Sequence, residues 1–133
     1  AAAAAAAAKE AWIGQAVQVD RDGRAFYTSF RKNGDVFRLK DCATLKPETE
    51  AADPYLAQIV SMWQEPGGDM MIKGPWLYRE RDVPKGKAPK NPPMGAREVL
   101  LSDWCDANPI ESVMQRASIL FSAAPPPAGL DPP

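Results

Sequence analysis

Apolar and polar positions alternate along most of this chain in short runs, each ended by a turn residue. That is the pattern of half-buried β-strands, not of helices. Gln15–Val19 alternates and stops at the turn Asp20–Gly23. Arg24–Arg31 carries Phe26, Tyr27 and Phe30 and is followed by Asn33-Gly34. Both of those residues tolerate positive φ, so a tight hairpin is predicted, with Val36–Leu39 as the return strand. Cys42–Leu45 is a further short strand ending before Pro47, and residues 46–54 form an exposed acidic loop. Tyr55–Trp63 is the strongest strand signal, and across the turn Glu65–Asp69 it predicts a hairpin with Met70–Tyr78. A polar connection at 79–97 follows, then an apolar strand at Glu98–Ser102. Asn108 as N-cap, Pro109 at the first helical position and Glu111 completing a capping box predict a helix of one or two turns, to Gln115 or Arg116. Ala117–Phe121 closes the pattern as a last strand. Many strands and one short C-terminal helix imply a mostly β, compact, barrel-like domain with long loops.

Composition narrows this picture. The chain has 133 residues, enough for one domain with a real core. Residues 1–9 are almost entirely alanine and are expected to be an arm or tag outside the fold. Residues 123–133 are too rich in proline to pack, which leaves 10–122 as the folded unit. With 16 basic and 17 acidic residues the net charge is −1, unlike a dedicated nucleic-acid binder. The connection at 79–97 is locally basic, six lysines and arginines against two acids, and offers a weak DNA contact or a solvated loop. No apolar run reaches the ~20 residues of a membrane span, and no signal-peptide pattern occurs, so no membrane partner is expected. Cys42 and Cys105 lack CxxC spacing and are expected as reduced thiols, with a disulfide as the alternative. There is no histidine, which removes Ser-His-Asp and Cys-His catalysis and most zinc sites. Phosphate-cradling glycine motifs are missing too, so neither enzyme activity, cofactor nor metal is expected.

The chemistry that remains is aromatic. Trp76 and Tyr78 lie two apart on one strand and project from the same face, and Tyr55 opens the strand expected to pair with them. Electron-rich ring faces attract a quaternary ammonium, at roughly 0.5–2 kcal/mol per ring. Trimethyl-lysine donates no hydrogen bond and suits such a box. A nearby carboxylate such as Asp82 would favour dimethyl-lysine, which keeps one N–H. Aromatic residues on strands are usually core, so from the residues alone packing is the commoner role and the cage the alternative. Trp12 and Trp63 are assigned to packing.

The order of short motifs resembles the bromo-adjacent homology (BAH) family over about residues 24–121. Phe26–Phe30 and Val36–Leu45 resemble its opening hairpin, with Asp41-Cys42 at its "GD-C" step. Asp53–Ile59 resembles its "PYxARI" strand and Val60–Trp63 the continuation. Gly74–Glu80 resembles its "WFYRPEE" strand, Glu98–Asp103 its "ELFLSD", and Pro109–Val113 the short helix before the last strand. The resemblance implies a nuclear chromatin module that reads a methylated histone tail and catalyses nothing. In such readers the cage comes from the positions held here by Tyr55, Trp76 and Tyr78. That trio implies the Polycomb-type trimethyl mark on histone H3, or the heterochromatin mark on H3. Trp104 stands where Polycomb-mark readers have histidine. An aromatic there, with an acid at the position of Asp82, is closer to the origin recognition complex large subunit, which reads dimethyl-lysine on histone H4. Trp104 or Asp82 would complete the box, and Asp106 and Asn108 would contact the tail. The other implied role is a protein or nucleosome docking module without methyl-lysine recognition.

Overall fold

The computed structural model describes residues 10–49, 52–82 and 98–120. The alanine arm, the proline-rich tail and most of the basic connection fall outside the described residues, as does Phe121. The strands are β1 (Glu10–Trp12), β2 (Gln18–Val19), β3 (Ala25–Phe26), β4 (Ser29–Lys32), β5 (Asp35–Arg38), β6 (Cys42–Leu45), β7 (Tyr55–Gln58), β8 (Ser61–Gln64), β9 (Met70–Tyr78), β10 (Leu100–Pro109) and β11 (Val113–Ala117). They form a three-stranded sheet, β1-β4-β5, and an eight-stranded sheet, β11-β6-β7-β9-β8-β3-β2, with β10 on the other edge of β9. All pairings are antiparallel. The mostly β, barrel-like expectation holds.

Hydrophobic alternation sorts side chains onto the two faces of β6, β7 and β9. Ala43, Leu45, Ala57 and Ile72 join Phe30, Phe37, Ile59, Met62, Ile110 and Val113 in the main core. Cys42, Leu56 and Leu77 form a smaller cluster on the opposite face. Phe30 and Phe37, paired across the Asn33-Gly34 hairpin, stack at 4.8 Å, and their place in the main core packs the small sheet against the large one. Trp12 and Trp63 pack as expected: Trp12 stacks on Tyr27 at 4.3 Å, and Trp63 is buried.

Several elements differ from the sequence pattern, each for a local reason. Tyr55–Trp63 is not one strand but two, β7 and β8, interrupted at Ile59-Val60. The Ile59 N–H donates to the Asp41 carbonyl at 2.8 Å, and the Ile59 carbonyl accepts from Lys40 at 2.7 Å. Ile59 thus leaves the ladder to anchor the β5–β6 turn. Both halves still pair with β9, so the hairpin expectation holds on either side of the break. Gly74 faces the break, where any Cβ would overlap the Gln58 carbonyl oxygen. A glycine inside this strand is required by close backbone approach.

The predicted C-terminal helix is a single 3-10 turn, Ile110–Ser112. Asn108 does not cap it, because Asn108 is paired to Ile72 within β10. Pro109 is extended, with ψ 144°, and gives no side-chain cap. Instead the buried Lys32 ammonium donates to the carbonyls of Ile110 (2.9 Å) and Glu111 (2.6 Å), beside Glu10 at 3.7 Å. Desolvation lowers the Lys32 pKa, and Glu10 offsets part of that. Val113 then pairs with Leu45, so the closing strand begins earlier than Ala117 and ends there. The strand predicted at Glu98–Ser102 begins at Leu100 and runs on to Pro109, Gln15–Val19 shrinks to β2, and β1 was not signalled by any alternation.

Candidate functional site

The site is built where β7, β9 and β10 meet. Ala57 pairs with Trp76 across β7 and β9. Tyr55, two residues before Ala57, therefore shares a face with Trp76 and with Tyr78, two residues beyond it. The Tyr55 and Trp76 rings meet edge to face, 5.7 Å apart at 62°. Trp76 packs one side against the main core, which fixes its position.

A bulge in β10 supplies the opposite wall. Leu101 pairs with Leu77 and Cys105 with Pro75, so Ser102, Asp103 and Trp104 together face the single residue Trp76. Extra residues on one strand bend it and redirect side chains. Ser102 staples the bulge, since its hydroxyl accepts the Trp104 N–H at 3.2 Å. The outcome is a Trp104 side chain 63% exposed yet lining the same cavity as Trp76. The two indoles are tied together: Trp76 Nε1 donates to Asp106 Oδ2 at 2.7 Å, and Trp104 Nε1 donates to the same oxygen at 3.1 Å.

The cavity is about 580 Å³, within the range of small-ligand sites. Tyr55, Trp76, Tyr78 and Trp104 all line it, and so do Asp82, Asp106 and Asn108. Every candidate residue named from sequence is thus brought to one hollow. Asp82 sits at the end of a 3-10 turn, Glu80–Asp82, where its carboxylate accepts the Arg79 N–H at 3.0 Å. Arg79 in turn donates to the Pro54 carbonyl, fastening this rim to the start of β7. Sequence reasoning missed Leu45, Lys46, Glu48, Leu56, Leu77 and Ser112, which complete the lining. The run at 46–54 was legible only as an acidic loop. What draws it in is the Lys46 N–H, which donates to the Ser112 carbonyl at 2.8 Å. The lining carries three carboxylates (Glu48, Asp82, Asp106) against one ammonium (Lys46). An anionic, ring-lined, open hollow suits an organic cation.

The two thiols are unpaired among the described residues. Cys105 is exposed, whereas burial and then Asp41 push the Cys42 thiol up to about 11. Among the described residues no cluster of acids and cysteines is placed to hold a metal, and no helix is long and apolar enough to cross a membrane.

Known proteins show similarity in the same region. The BAH domain family matches residues 35–128. A DNA (cytosine-5)-methyltransferase of Paracentrotus lividus, PliMCI, is 25% identical over 118 residues, 89% of this chain and 7% of that protein. DNA (cytosine-5)-methyltransferase 1 of Mus musculus is 21% identical over 112 residues, 84% of this chain and 6% of that protein. The counterpart from Gallus gallus is 22% identical over 110 residues, 83% of this chain and 7% of that protein. This chain therefore spans only a small part of the length of the relatives it matches. With the family match covering most of the chain, the protein belongs to the bromo-adjacent homology family of chromatin-associated modules.

Proposed function

We propose that this domain is a non-catalytic nuclear reader that binds a methylated lysine of a histone tail in the cavity between β7, β9 and β10. One observation carries the reading: four aromatic side chains from three strands line a single open hollow whose charged rim is predominantly acidic. Each ring face turned to the cation contributes roughly 0.5–2 kcal/mol. Trimethyl-lysine on histone H3, the Polycomb-type mark, is the preferred ligand. The carboxylates beside the rings already have partners, Asp106 with two indoles and Asp82 with the Arg79 N–H. Each of these bonds ends on Oδ2, so an N–H of dimethyl-lysine reaching Oδ1 of either carboxylate is the competing reading, which the peptide panel below separates.

Calorimetry with a peptide panel tests this: H3 tails carrying the Polycomb-type or the heterochromatin mark, dimethylated H4 tails, and their unmodified forms. Tyr55, 42% exposed, can be truncated with little loss of packing. Tyr55→Ala and Trp76→Ala should each weaken binding to the preferred methylated tail by about 2- to 30-fold, one ring's worth. Equal affinity for methylated and unmodified tails would overturn the proposal. Preference for the dimethylated H4 tail would keep the cage but move the histone site.

A further inference from the structure

We infer that a second site, distinct from the aromatic hollow, binds the phosphodiester backbone of duplex DNA at the β5–β6 turn. A groove of about 340 Å³ lies there, with Arg38, Lys40 and Arg116 as its cations and Asp41 as its only carboxylate. All three basic residues are exposed, and none forms an ion pair with a described residue. Three cations against one carboxylate leave the groove net positive, and the Asp41 carboxylate is held at the turn by the Arg38 N–H at 2.8 Å. Arg116 is partly pre-positioned, since Nη1 donates to the Val36 carbonyl at 3.2 Å. Guanidinium forks with free N–H groups match phosphate oxygens, with a lysine as an added point charge.

The backbone marks the same turn independently. Two described residues other than glycine have left-handed φ, Asn33 and Lys40. Asn33 stands in an Asn-Gly hairpin, where that conformation is favoured. Lys40, at φ 80°, has no such preference, and glycine would hold the position at less strain. The strained turn is over-determined by its bonds: Lys40 N–H to the Ile59 carbonyl (2.7 Å), Asp41 N–H to the Arg38 carbonyl (3.1 Å), and Gln58 Nε2 to the Lys40 carbonyl (3.2 Å). Strain held this firmly, with a cation displayed on it in the same groove as two arginines that form no ion pair with a described residue, indicates a functional position.

The two sites share a strand. Leu45 lines the aromatic hollow and Cys42 lines the groove, at opposite ends of β6. That separation is about 10 Å at the usual strand rise. A tail in the hollow and DNA in the groove can therefore be held by one domain at once, and each contact raises the effective concentration of the other. Duplex DNA, not an acidic peptide, is the occupant inferred, because three cations in one groove match successive phosphates and the family is chromatin-associated.

The experiment is fluorescence anisotropy of the full chain with a labelled 20-base-pair duplex across a salt series. Three phosphate contacts predict a log–log salt slope of up to about −2.7. Lys40→Gly and Arg116→Gln should each flatten that slope by about one. Lys40→Gly should also keep or raise the melting midpoint, a pairing of better stability with weaker binding that a purely structural lysine would not produce. Trp76→Ala should leave the slope unchanged, so this site stands or falls apart from the methyl-lysine proposal. Salt-insensitive or absent DNA binding, or slopes unaltered in both groove variants, would overturn the inference. Tighter binding to polyglutamate than to the duplex would overturn it in favour of an acidic protein partner.

Discussion

The shared hydrogen bonds at Asp106 permit a sharp test of how the hollow is held. Replacing Asp106 with alanine removes the acceptor of both indole N–H groups, at 2.7 and 3.1 Å. Such charge-assisted bonds at an exposed position are each worth about 1 kcal/mol net. Their loss frees Trp76 and Trp104, and ordering each side chain again on binding costs about 0.5–1 kcal/mol. Affinity for the trimethyl-lysine tail should then fall by about 1–2 kcal/mol, or roughly 5- to 30-fold. Charge loss alone must be separated from loss of the tether. Asp106→Asn keeps an oxygen acceptor but no charge, while Asp82→Asn removes a rim charge that touches neither indole. At this exposure one charge contributes about 1 kcal/mol or less. Calorimetry should rank the losses Asp106→Ala above Asp106→Asn, with Asp82→Asn smallest. The indole N–H resonances of Trp76 and Trp104 should move in both Asp106 variants and stay put in Asp82→Asn. Equal weakening by all three substitutions, with unmoved indole resonances, would refute the tether and leave only Coulomb attraction.

Other consequences concern the framework. Gly74→Ala forces a methyl into the Gln58 carbonyl, so it should cost at least about 4 kcal/mol in urea melts or prevent folding. Lys32→Ala strips the buried Ile110 carbonyl and the partly buried Glu111 carbonyl of their donor and leaves Glu10 without its cation, which should cost about 2–4 kcal/mol by the same measurement. Cys42 titrates near 11 in the fold against an ordinary 9.0, so the folded state holds its proton more tightly. Its contribution is therefore intact below pH 9 and lost as pH rises towards 11, by up to about 2–3 kcal/mol. Alkaline melts of the protein against Cys42→Ala isolate that term, and the difference between them should change only in that window.

Much of this architecture was legible because short-range rules decide it. Asn33-Gly34 specifies its hairpin by backbone preference alone, and the hairpin of β8 and β9 follows from alternation across a glycine-rich turn. The grouping of Tyr55 with Trp76 needed only strand periodicity and one antiparallel pairing. What stayed hidden was set by distant partners. The capping residues around Asn108 and Pro109 favour a helix locally, but the β10 ladder claims Asn108, and Lys32, far back in the sequence, claims the carbonyls that a helix would use. The break at Ile59 depends on the β5–β6 turn, which no alternation in Tyr55–Trp63 could announce. Asp106 was visible as a candidate tail contact, yet its tie to two indoles needs the bulge at Ser102–Trp104. Glu48 and Lys46 entered the lining only through a backbone bond to Ser112.

The central claim is that ring faces enclose a lysine methylammonium, and nuclear magnetic resonance of the ligand addresses it directly. A tail peptide carrying isotope-labelled N-methyl groups would be titrated with the protein. Methyl protons lying over the faces of Tyr55, Trp76, Tyr78 and Trp104 should move strongly upfield through ring-current shielding, with cross-relaxation to those rings. Methyl resonances that hold their free-peptide position while the tail is demonstrably bound would contradict the account, because the cation would then lie outside the aromatic hollow.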